Sequence, residues 1–373
     1  MTCSTDIAVI GAGMAGASLA AEIAPHAKVL LIEREAHPGY HSTGRSAAFW
    51  SETYGGPLVQ PLTAASGPFL ADPPAEFHDR SFLSARGAVS IARAKESDAL
   101  DADYRSLSGA GVLLDWLERP ALEALIPGLR PDWRVGVFEP GCRDIDVAAL
   151  HGAYLKAARR GGADLWTDAA VGALERNAEG WRLETKRGPV EARLIVNAAG
   201  AWADEIAAMA RVPMIGLQPY RRTIAQLRVD PAAPSDLPLV LDAGERFYFK
   251  PQAGGRLWLS PHDETACPPC DVWPEDQDVA EAIDRLGQVV DWRVERVEHS
   301  WAGLRSFAPD RLPVYGFARG RSDFFWFAGQ GGFGIQTAPA AAKLAAAMLM
   351  GRERDPSVAA IDPAPYSADR LAN

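Results

Sequence analysis

Residues 6–18 read DIAVIGAGMAGAS, and this stretch decides the fold class. The apolar run DIAVI predicts a short buried strand, and Gly11, Gly13 and Gly16 follow it in the spacing GxGxxG. The alanine-rich segment after these glycines predicts a helix that ends near Pro25. A strand, a glycine turn and a helix in this order predict the first unit of a Rossmann-type fold, whose helix N-terminus binds a pyrophosphate.

A second predicted strand, KVLLIE, ends on Glu33, which lies 20 positions after Gly13. A carboxylate at this distance meets the ribose hydroxyls of an adenine dinucleotide. A side chain at Gly13 would hold the backbone away from the pyrophosphate, and one at Gly16 would push the helix from the strand. We therefore expect a bulkier residue at Gly13 to abolish dinucleotide binding.

The glycine motif alone does not distinguish FAD from NAD. A simple nicotinamide domain would continue with alternating strands and helices, whereas this chain enters the polar stretch HSTGRSAAFW at residues 41–50. Segments 144–166, 169–204 and 324–340 later return to strand, hairpin and helix patterns, the last with four closely spaced glycines before its helix. Such an interrupted dinucleotide fold is typical of flavoproteins.

Composition limits the class of protein. A chain of 373 residues predicts about two domains, and 48% hydrophobic with 23% charged residues is ordinary for a globular protein. The net charge of -10 disfavours nucleic acid and anionic lipid as partners. The four scattered cysteines fit a reduced cytoplasm, and we expect neither an integral membrane segment nor a metal site.

Nine motifs occur in order along nearly the whole chain: GAGMAGAS, EREAHPGYHSTGRSAA, LTAAS, DIDVAALH, VNAAGAW, GLQPYRR, FYFKP, WAGLRSF and GGFGIQT. In this order they resemble the D-amino acid oxidase superfamily of FAD-dependent oxidoreductases, and within it the bacterial FAD-dependent D-arginine dehydrogenases. The resemblance implies an α/β fold with a discontinuous Rossmann-type FAD-binding domain and a second α+β substrate domain containing an antiparallel sheet. The expected FAD-binding domain comprises residues 1–80, 141–211 and 296–373, and the expected substrate domain comprises 81–140 and 212–295.

The resemblance also assigns cofactor contacts. It implies that STGRSAA wraps the FAD between pyrophosphate and flavin. Because no cysteine lies in GLRSF or GGFGIQT, we expect noncovalent FAD. The expected FAD-binding residues are Gly11, Gly13, Gly16, Glu33, Arg34, Ser42, Thr43, Arg45, Ser46, Ala48, Val171, Gly200, Gly303, Gly331, Gly334, Ile335, Gln336 and Thr337.

Members of this superfamily orient an amino acid by its carboxylate, which calls for a bidentate arginine and hydroxyl donors. Arg305 and Arg222 occupy the matching positions, although the neighbouring Arg221 could take the role of Arg222. The resemblance assigns the reaction site to Tyr54, Arg222, Tyr248, Arg305, Gly332 and Gln336, and the substrate-facing wall to Phe49, Trp50, Ser51 and Ala88.

Two departures from the D-arginine dehydrogenases bear on the substrate. Phe49 stands where those enzymes have a histidine, and Ala88 stands where they have a glutamate suited to a guanidinium. Without that carboxylate a cationic side chain loses a charge-assisted hydrogen bond of about 1.5 to 3 kcal/mol. We expect a D-amino acid with an apolar or cyclic side chain, and amine deprotonation by solvent.

Two other functions stay open. One is oxidation of a secondary amine, as in glycine or sarcosine oxidases, or of a 2-hydroxy acid; the other is a flavin-binding module in RNA modification or a partner subunit without turnover. Oxygen, a quinone or another carrier are all candidate electron acceptors.

We expect the ACPPC segment at 266–270 to be a surface loop, with a disulfide between Cys267 and Cys270 left open. We also expect the tail from Asp362 onward to be loose.

Overall fold

The computed structural model describes residues 2–371. In this part of the chain, twenty strands and eight α-helices form three sheets and the layers that cover them. The strands are β1 (Cys3–Ile10), β2 (Val29–Ile32), β3 (Phe49–Trp50), β4 (Leu83–Ala85), β5 (Ala88–Arg93), β6 (Asp115–Glu118), β7 (Trp133–Glu139), β8 (Arg143–Ile145), β9 (Asp164–Trp166), β10 (Val171–Asn177), β11 (Gly180–Thr185), β12 (Gly188–Asn197), β13 (Gln218–Asp230), β14 (Leu239–Asp242), β15 (Tyr248–Gln252), β16 (Arg256–Ser260), β17 (Thr265–Ala266), β18 (Arg293–Phe307), β19 (Val314–Phe317) and β20 (Phe324–Ala328). The helices are α1 (Met14–Ile23), α2 (Gln60–Ala71), α3 (Ser97–Gly109), α4 (Arg119–Leu125), α5 (Val147–Arg160), α6 (Ala203–Met209), α7 (Asp276–Gly287) and α8 (Ala338–Met350).

The first sheet is the predicted Rossmann-type layer. Strands β9, β2, β1, β12 and β20 run parallel in that order, with Ile7 of β1 opposite Val29 of β2 and Leu194 of β12. The hairpin β10–β11 extends β12, and β19 adds an antiparallel edge to β20. All four residues of β2 are buried, as expected for a parallel strand covered on both faces. The sheet is therefore assembled from segments that are distant in the chain, as predicted.

Close approach of backbones around α1 explains two of the motif glycines. A Cβ on Gly16 would lie 1.8 Å from the carbonyl oxygen of Gly11, and a Cβ on Gly11 would lie 2.4 Å from that of Ala198. Gly11 also has φ +100°, a conformation that favours glycine. Glycine at these two positions lets α1 begin directly at the end of β1.

The second sheet contains nine strands. Its strand order is β17-β13-β16-β15-β14-β5-β7-β6, and β18 pairs with the other edge of β13. Leu122 of α4 and Leu286 of α7 pack with Phe249 on one face of this sheet. The predicted domain division assigned residues from 296 onward to the FAD-binding domain, but β18 pairs with β13 along its length, so this strand belongs to the second sheet.

The remaining segments connect and cover these sheets. Strands β3, β8 and β4 form a small third sheet in that order. The expectation of a loose tail is wrong as far as Leu371: Tyr366 is buried and donates a hydrogen bond of 2.7 Å to the carbonyl oxygen of Leu58. The last two positions of that tail lie outside the described residues. No helix within residues 2–371 has the length and apolar character needed to cross a bilayer.

Candidate active site

A groove of about 380 Å³ runs along the carboxyl ends of the parallel strands. Its walls include Ile10 after β1, Glu33 after β2 and Ala198 after β12. Ligands of open α/β sheets bind at this edge of the sheet. The groove is therefore the place where the fold would hold a dinucleotide.

The first turn of α1 supplies the expected phosphate cradle. The N–H of Met14 donates to Thr43 Oγ1 at 3.0 Å, which ties the loop after β2 to the helix N-terminus. The N–H of Ala12 donates to Glu33 Oε2 at 3.0 Å, and Glu33 is only 7% exposed. A Cβ on Gly13 would fall 3.2 Å from Thr43 Oγ1 and would fill part of the cradle. A helix N-terminus, a glycine turn and a carboxylate fit the pyrophosphate and ribose of FAD.

Most of the expected cofactor residues line this groove: Gly11, Gly13, Glu33, Arg34, Ser42, Thr43, Ser46, Val171, Gly200, Gly331, Gly334 and Ile335. Others do not. Gly16 lies beneath Gly11, Thr337 is buried at the start of α8, and Gly303 lies against the Arg305 guanidinium. Sequence reasoning missed further lining residues, among them Met14, Tyr40, His41, Trp202 and Ser306.

Arg45 departs from its expected role. Its Nη2 donates to Asp271 Oδ1 at 2.5 Å and its Nη1 to the carbonyl oxygen of Val272 at 3.0 Å. Asp271 also accepts a hydrogen bond from Tyr40, which lines the groove. The Arg45 side chain therefore binds the 271–272 loop to the groove wall and does not present donors to the cofactor.

A second, smaller cavity of about 40 Å³ opens from the groove. Ser46, Arg305, Gly332 and Ile335 line both cavities, so the two lie side by side. The small cavity is lined by Ser46, Ala47, Ala48, Phe49, Tyr54, Arg222, Leu241, Tyr248, His262, Arg305, Gly332, Ile335 and Gln336. All six residues assigned to the reaction site are thus brought together, and we refer to this cavity as the substrate pocket.

The register of β13 and β18 determines which arginines face this pocket. Tyr220 lies opposite Arg305, and Arg222 lies opposite Gly303. Residues directly opposite, and residues two apart on one strand, share a face of the sheet. Arg222 and Arg305 therefore point to the same side, and Gly303 leaves room between them. Arg221 points to the other side, so the pocket arginine of this pair is Arg222.

The two pocket arginines differ in how their charge is balanced. Arg222 donates to Glu264 Oε1 at 3.0 Å and to the carbonyl oxygen of Asp263 at 2.9 Å. Arg305 donates only to the carbonyl oxygens of Leu304 and Arg45, at 3.1 and 3.4 Å, and no carboxylate within residues 2–371 forms an ion pair with it. Arg305 is 8% exposed, and burial lowers the pKa of its guanidinium. A buried cation without a counter-ion favours binding of an anion.

Tyr54 and Tyr248 supply hydroxyl groups to the pocket. Burial raises the pKa of Tyr248, so its hydroxyl stays protonated and can donate to an anion. A Cβ on Gly332 would lie 2.3 Å from the hydroxyl oxygen of Tyr54. Gly332 therefore allows Tyr54 to reach into the cavity.

The segment that carries Tyr54 is held by two buried side chains. Gln336 accepts from the N–H of Ser51 at 3.1 Å and donates to the carbonyl oxygen of Tyr54 at 3.1 Å. Glu139 of β7 accepts from Ser51 Oγ and Thr53 Oγ1, both at 2.7 Å. Gln336 also donates to Thr63, so both N–H groups of its side-chain amide are engaged. It lines the pocket and also holds the segment that carries Tyr54 in position.

Three residues expected to face the substrate do not line the pocket. The Trp50 indole N–H donates to the carbonyl oxygen of Thr63 at 2.9 Å, which turns the ring toward α2. Ser51 points to Glu139, and Ala88 packs behind the pocket among residues that include Ala47 and Tyr248. Of the four predicted wall residues, only Phe49 lines the cavity.

His262 is the main pocket residue that sequence reasoning missed. It follows β16 with φ +53°, which is uncommon outside glycine. Its Nδ1 lies 2.7 Å from the carbonyl oxygen of Glu245, and its ring meets Tyr248 edge to face at 5.7 Å. Long-range packing of the loop after β16 brings this histidine to the pocket. No motif around His262 in the sequence indicates that position.

Cys267 and Cys270 are free thiols on a loop that packs against Trp202. Trp202 lines the groove, so this loop supports the groove wall. Within residues 2–371 no group of three or more histidine, cysteine or acidic side chains is arranged to hold a metal ion.

Comparisons with known proteins agree with this architecture. The family model of FAD dependent oxidoreductases (DAO) matches residues 6–348. Glycine oxidase of Pseudomonas aeruginosa is 28% identical over 99% of this chain and 100% of its own length. Human mitochondrial dimethylglycine dehydrogenase is 26% identical over 62% of this chain, which spans 29% of that protein. The crystal structure of glycine oxidase from Geobacillus kaustophilus shares the fold, with a TM-score of 0.85, 24% identity and coverage of 98% of this chain and 99% of that one. The chain therefore belongs to the DAO family of FAD-dependent oxidoreductases.

Proposed function

We propose that this FAD-dependent oxidoreductase oxidises the C–N bond of a D-amino acid with a small apolar or cyclic side chain to the imino acid. The observation that carries this proposal is the buried guanidinium of Arg305, which has no carboxylate partner and lies where the substrate pocket meets the groove. A substrate carboxylate would supply the missing counter-charge. The D configuration rests on the resemblance of the sequence motifs.

The pocket residues would position the substrate for this reaction. Arg305 would bind the carboxylate, and the hydroxyl groups of Tyr54 and Tyr248 would donate to its oxygens. Phe49 and Leu241 give the cavity an apolar side, which suits an uncharged side chain. FAD bound in the groove would supply the hydride acceptor for the substrate α-carbon, and water would hydrolyse the resulting imine.

A second candidate function is oxidation of glycine or of an N-methylated glycine. The small volume of the pocket favours it, because about 40 Å³ admits roughly three water molecules without movement of the walls. The similarity to a glycine oxidase along the whole chain also supports it. Both candidates use the carboxylate site at Arg305 and differ in the substituent on carbon or nitrogen. The electron acceptor and a cytoplasmic location stay predictions from the sequence.

The test is anaerobic mixing of the FAD-loaded protein with a panel of D-, L-, cyclic and N-methyl amino acids, 2-hydroxy acids and D-arginine. We expect rapid bleaching of the flavin absorbance by D- or cyclic amino acids with small apolar side chains, and little by D-arginine. Fastest bleaching by glycine or N-methylglycine would favour the second candidate. Bleaching by none of the amino acids would show that the proposed function is wrong.

A further inference from the structure

His262 is fixed in one orientation at the edge of the substrate pocket. The backbone N–H of His262 donates to Ser260 Oγ at 3.1 Å, and its ring Nδ1 lies 2.7 Å from the carbonyl oxygen of Glu245. The ring packs edge to face on Tyr248, at an interplanar angle of 78°. One ring hydrogen bond and one aromatic contact thus hold the imidazole in place, and the backbone hydrogen bond fixes the loop that carries it.

The contact with Glu245 determines the tautomer. A carbonyl oxygen can only accept a hydrogen bond, so Nδ1 must carry the proton. A neutral ring then leaves Nε2 as a lone pair. Burial and the nearby Arg222 lower the pKa of His262 to about 4, with Arg311 acting in the same direction and Glu264 and the Glu245 carbonyl against it. The ring is therefore neutral at physiological pH.

Apart from the hydroxyl of Ser46, the other polar side chains of the pocket are mainly donors or are already engaged. Arg222 and Arg305 have no acceptor atoms, and the hydroxyl groups of Tyr54 and Tyr248 are suited to a carboxylate. Both amide N–H groups of Gln336 are engaged, and its Oε1 already accepts from the N–H of Ser51. An amino acid brings a carboxylate and also an amino group, which needs an acceptor. Because the cavity is small, an amino group two bonds from a carboxylate at Arg305 lies close to every wall.

We propose that His262 is a specificity-determining residue whose Nε2 accepts a hydrogen bond from the substrate amino group. This inference rests on the proposed function. It assigns to His262 the recognition of the amino group, which a simple carboxylic acid lacks. A neutral acceptor also offsets the repulsion that two guanidinium groups exert on an ammonium group.

His262 acts in this proposal as an acceptor and not as the base that deprotonates the amine. The ammonium group of a free amino acid loses its proton only well above neutral pH, far above the pKa of about 4 of His262, so the imidazole would hold the amine proton only rarely. The proton of the ammonium group leaves to solvent, as the sequence-based expectation has it. No bond to His262 forms or breaks.

The test uses two unreactive ligands of nearly the same shape. 2-Amino-2-methylpropanoate lacks an α-hydrogen and cannot be oxidised, and 2,2-dimethylpropanoate has a methyl group in place of the ammonium. Each is titrated into the FAD-loaded protein, and the dissociation constant is read from the change in flavin absorbance. The variants are His262→Asn, which keeps a donor for the Glu245 carbonyl and tolerates the positive φ, and His262→Gln, which places an amide oxygen near the position of Nε2.

We expect His262→Asn to weaken binding of the amino ligand about tenfold to a hundredfold and binding of the methyl ligand less than about twofold. His262→Gln should recover most of the loss. Equal weakening of both ligands would overturn the proposal, because the histidine would then act on the carboxylate or on the fold. Equal affinity of the unmodified protein for the two ligands would also overturn it and would leave the carboxylate site at Arg305 intact. Failure of the proposed function itself shows separately, as a flavin that no amino acid bleaches.

Discussion

Arg221 and Arg222 are consecutive residues of β13, yet their guanidinium groups lie on opposite faces of the second sheet. Arg222 lines the substrate pocket, whereas Arg221 pairs with Asp278 at 2.7 Å and with Glu275. Because side chains alternate between the two faces of a strand, the two neighbouring arginines contact different surroundings. One arginine serves a ligand site and the other joins α7 to the sheet.

We predict that Arg221→Met lowers the free energy of unfolding by about 3 kcal/mol, because it leaves the partly buried Asp278 without its cation. The Michaelis constant should change little, since Arg221 does not line the pocket. Urea unfolding and steady-state kinetics on the same preparation check both statements. A large rise in the Michaelis constant with unchanged stability would reverse the assignment of the two arginines.

Arg305→Met should weaken substrate binding and stabilise the fold, the opposite of the effects expected for Arg221→Met. The buried guanidinium lacks a carboxylate partner, so its removal is expected to raise the free energy of unfolding by about 1 to 3 kcal/mol. Substrate affinity should fall at least tenfold, because the charge-assisted bonds to the carboxylate are lost. Arg293→Met, at an exposed arginine far along the same strand, is the matched control and should change neither quantity much. Loss of stability in Arg305→Met would argue that this charge has a structural partner.

The glycine turn offers a comparison of two helical glycines. Gly16→Ala should greatly reduce folded protein and FAD content, because its Cβ would lie 1.8 Å from the backbone oxygen of Gly11. Gly152→Ala in α5 has no atom within 4 Å of its Cβ, so it should be neutral or stabilising by up to about 1 kcal/mol. Thermal unfolding and the ratio of flavin to protein absorbance measure both. A well-folded, FAD-replete Gly16→Ala protein would contradict the close approach of α1 and β1.

His262 also predicts a pH dependence of stability. Its pKa falls from 6.5 to about 4 on folding, so the unfolded chain binds the proton more readily. This group therefore opposes folding increasingly as pH decreases from 6.5 to about 4, and its effect is absent above that window. The difference in free energy of unfolding between pH 7.5 and 4.5 should be smaller in His262→Asn than in the unmodified protein. An identical difference would mean that the histidine is solvated in the folded state.

The FAD is predicted to be noncovalent. Among the described residues that line the groove and the pocket there is no cysteine to form a thioether with the flavin. Acid precipitation should therefore release the yellow colour into the supernatant. Colour that stays with the pelleted protein would refute this prediction, and His41, which lines the groove, would be the first residue to examine by peptide mapping.

Short-range patterns predicted the cofactor half of the molecule well and the substrate half less well. The turn between Gly11 and Gly16 and the carboxylate of Glu33 follow from spacing within one βαβ unit, so sequence distance determines geometry. The pocket instead depends on strand register and loop packing. Trp50 was expected to face the substrate, but a single hydrogen bond to Thr63 turns its ring away. His262 escaped notice because a loop after β16, and no local motif, brings it to Tyr248.

The walls of the substrate pocket come from three distant parts of the chain: residues 46–54, 222–262 and 305–336. During synthesis, Tyr54 emerges from the ribosome long before Gly332 and Gln336, which allow and hold its position. A nascent chain that lacks the last of these segments can form parts of both sheets but has no complete pocket. Amine oxidation should therefore appear only after the final strand and helix have docked, which makes turnover a reporter of completed folding.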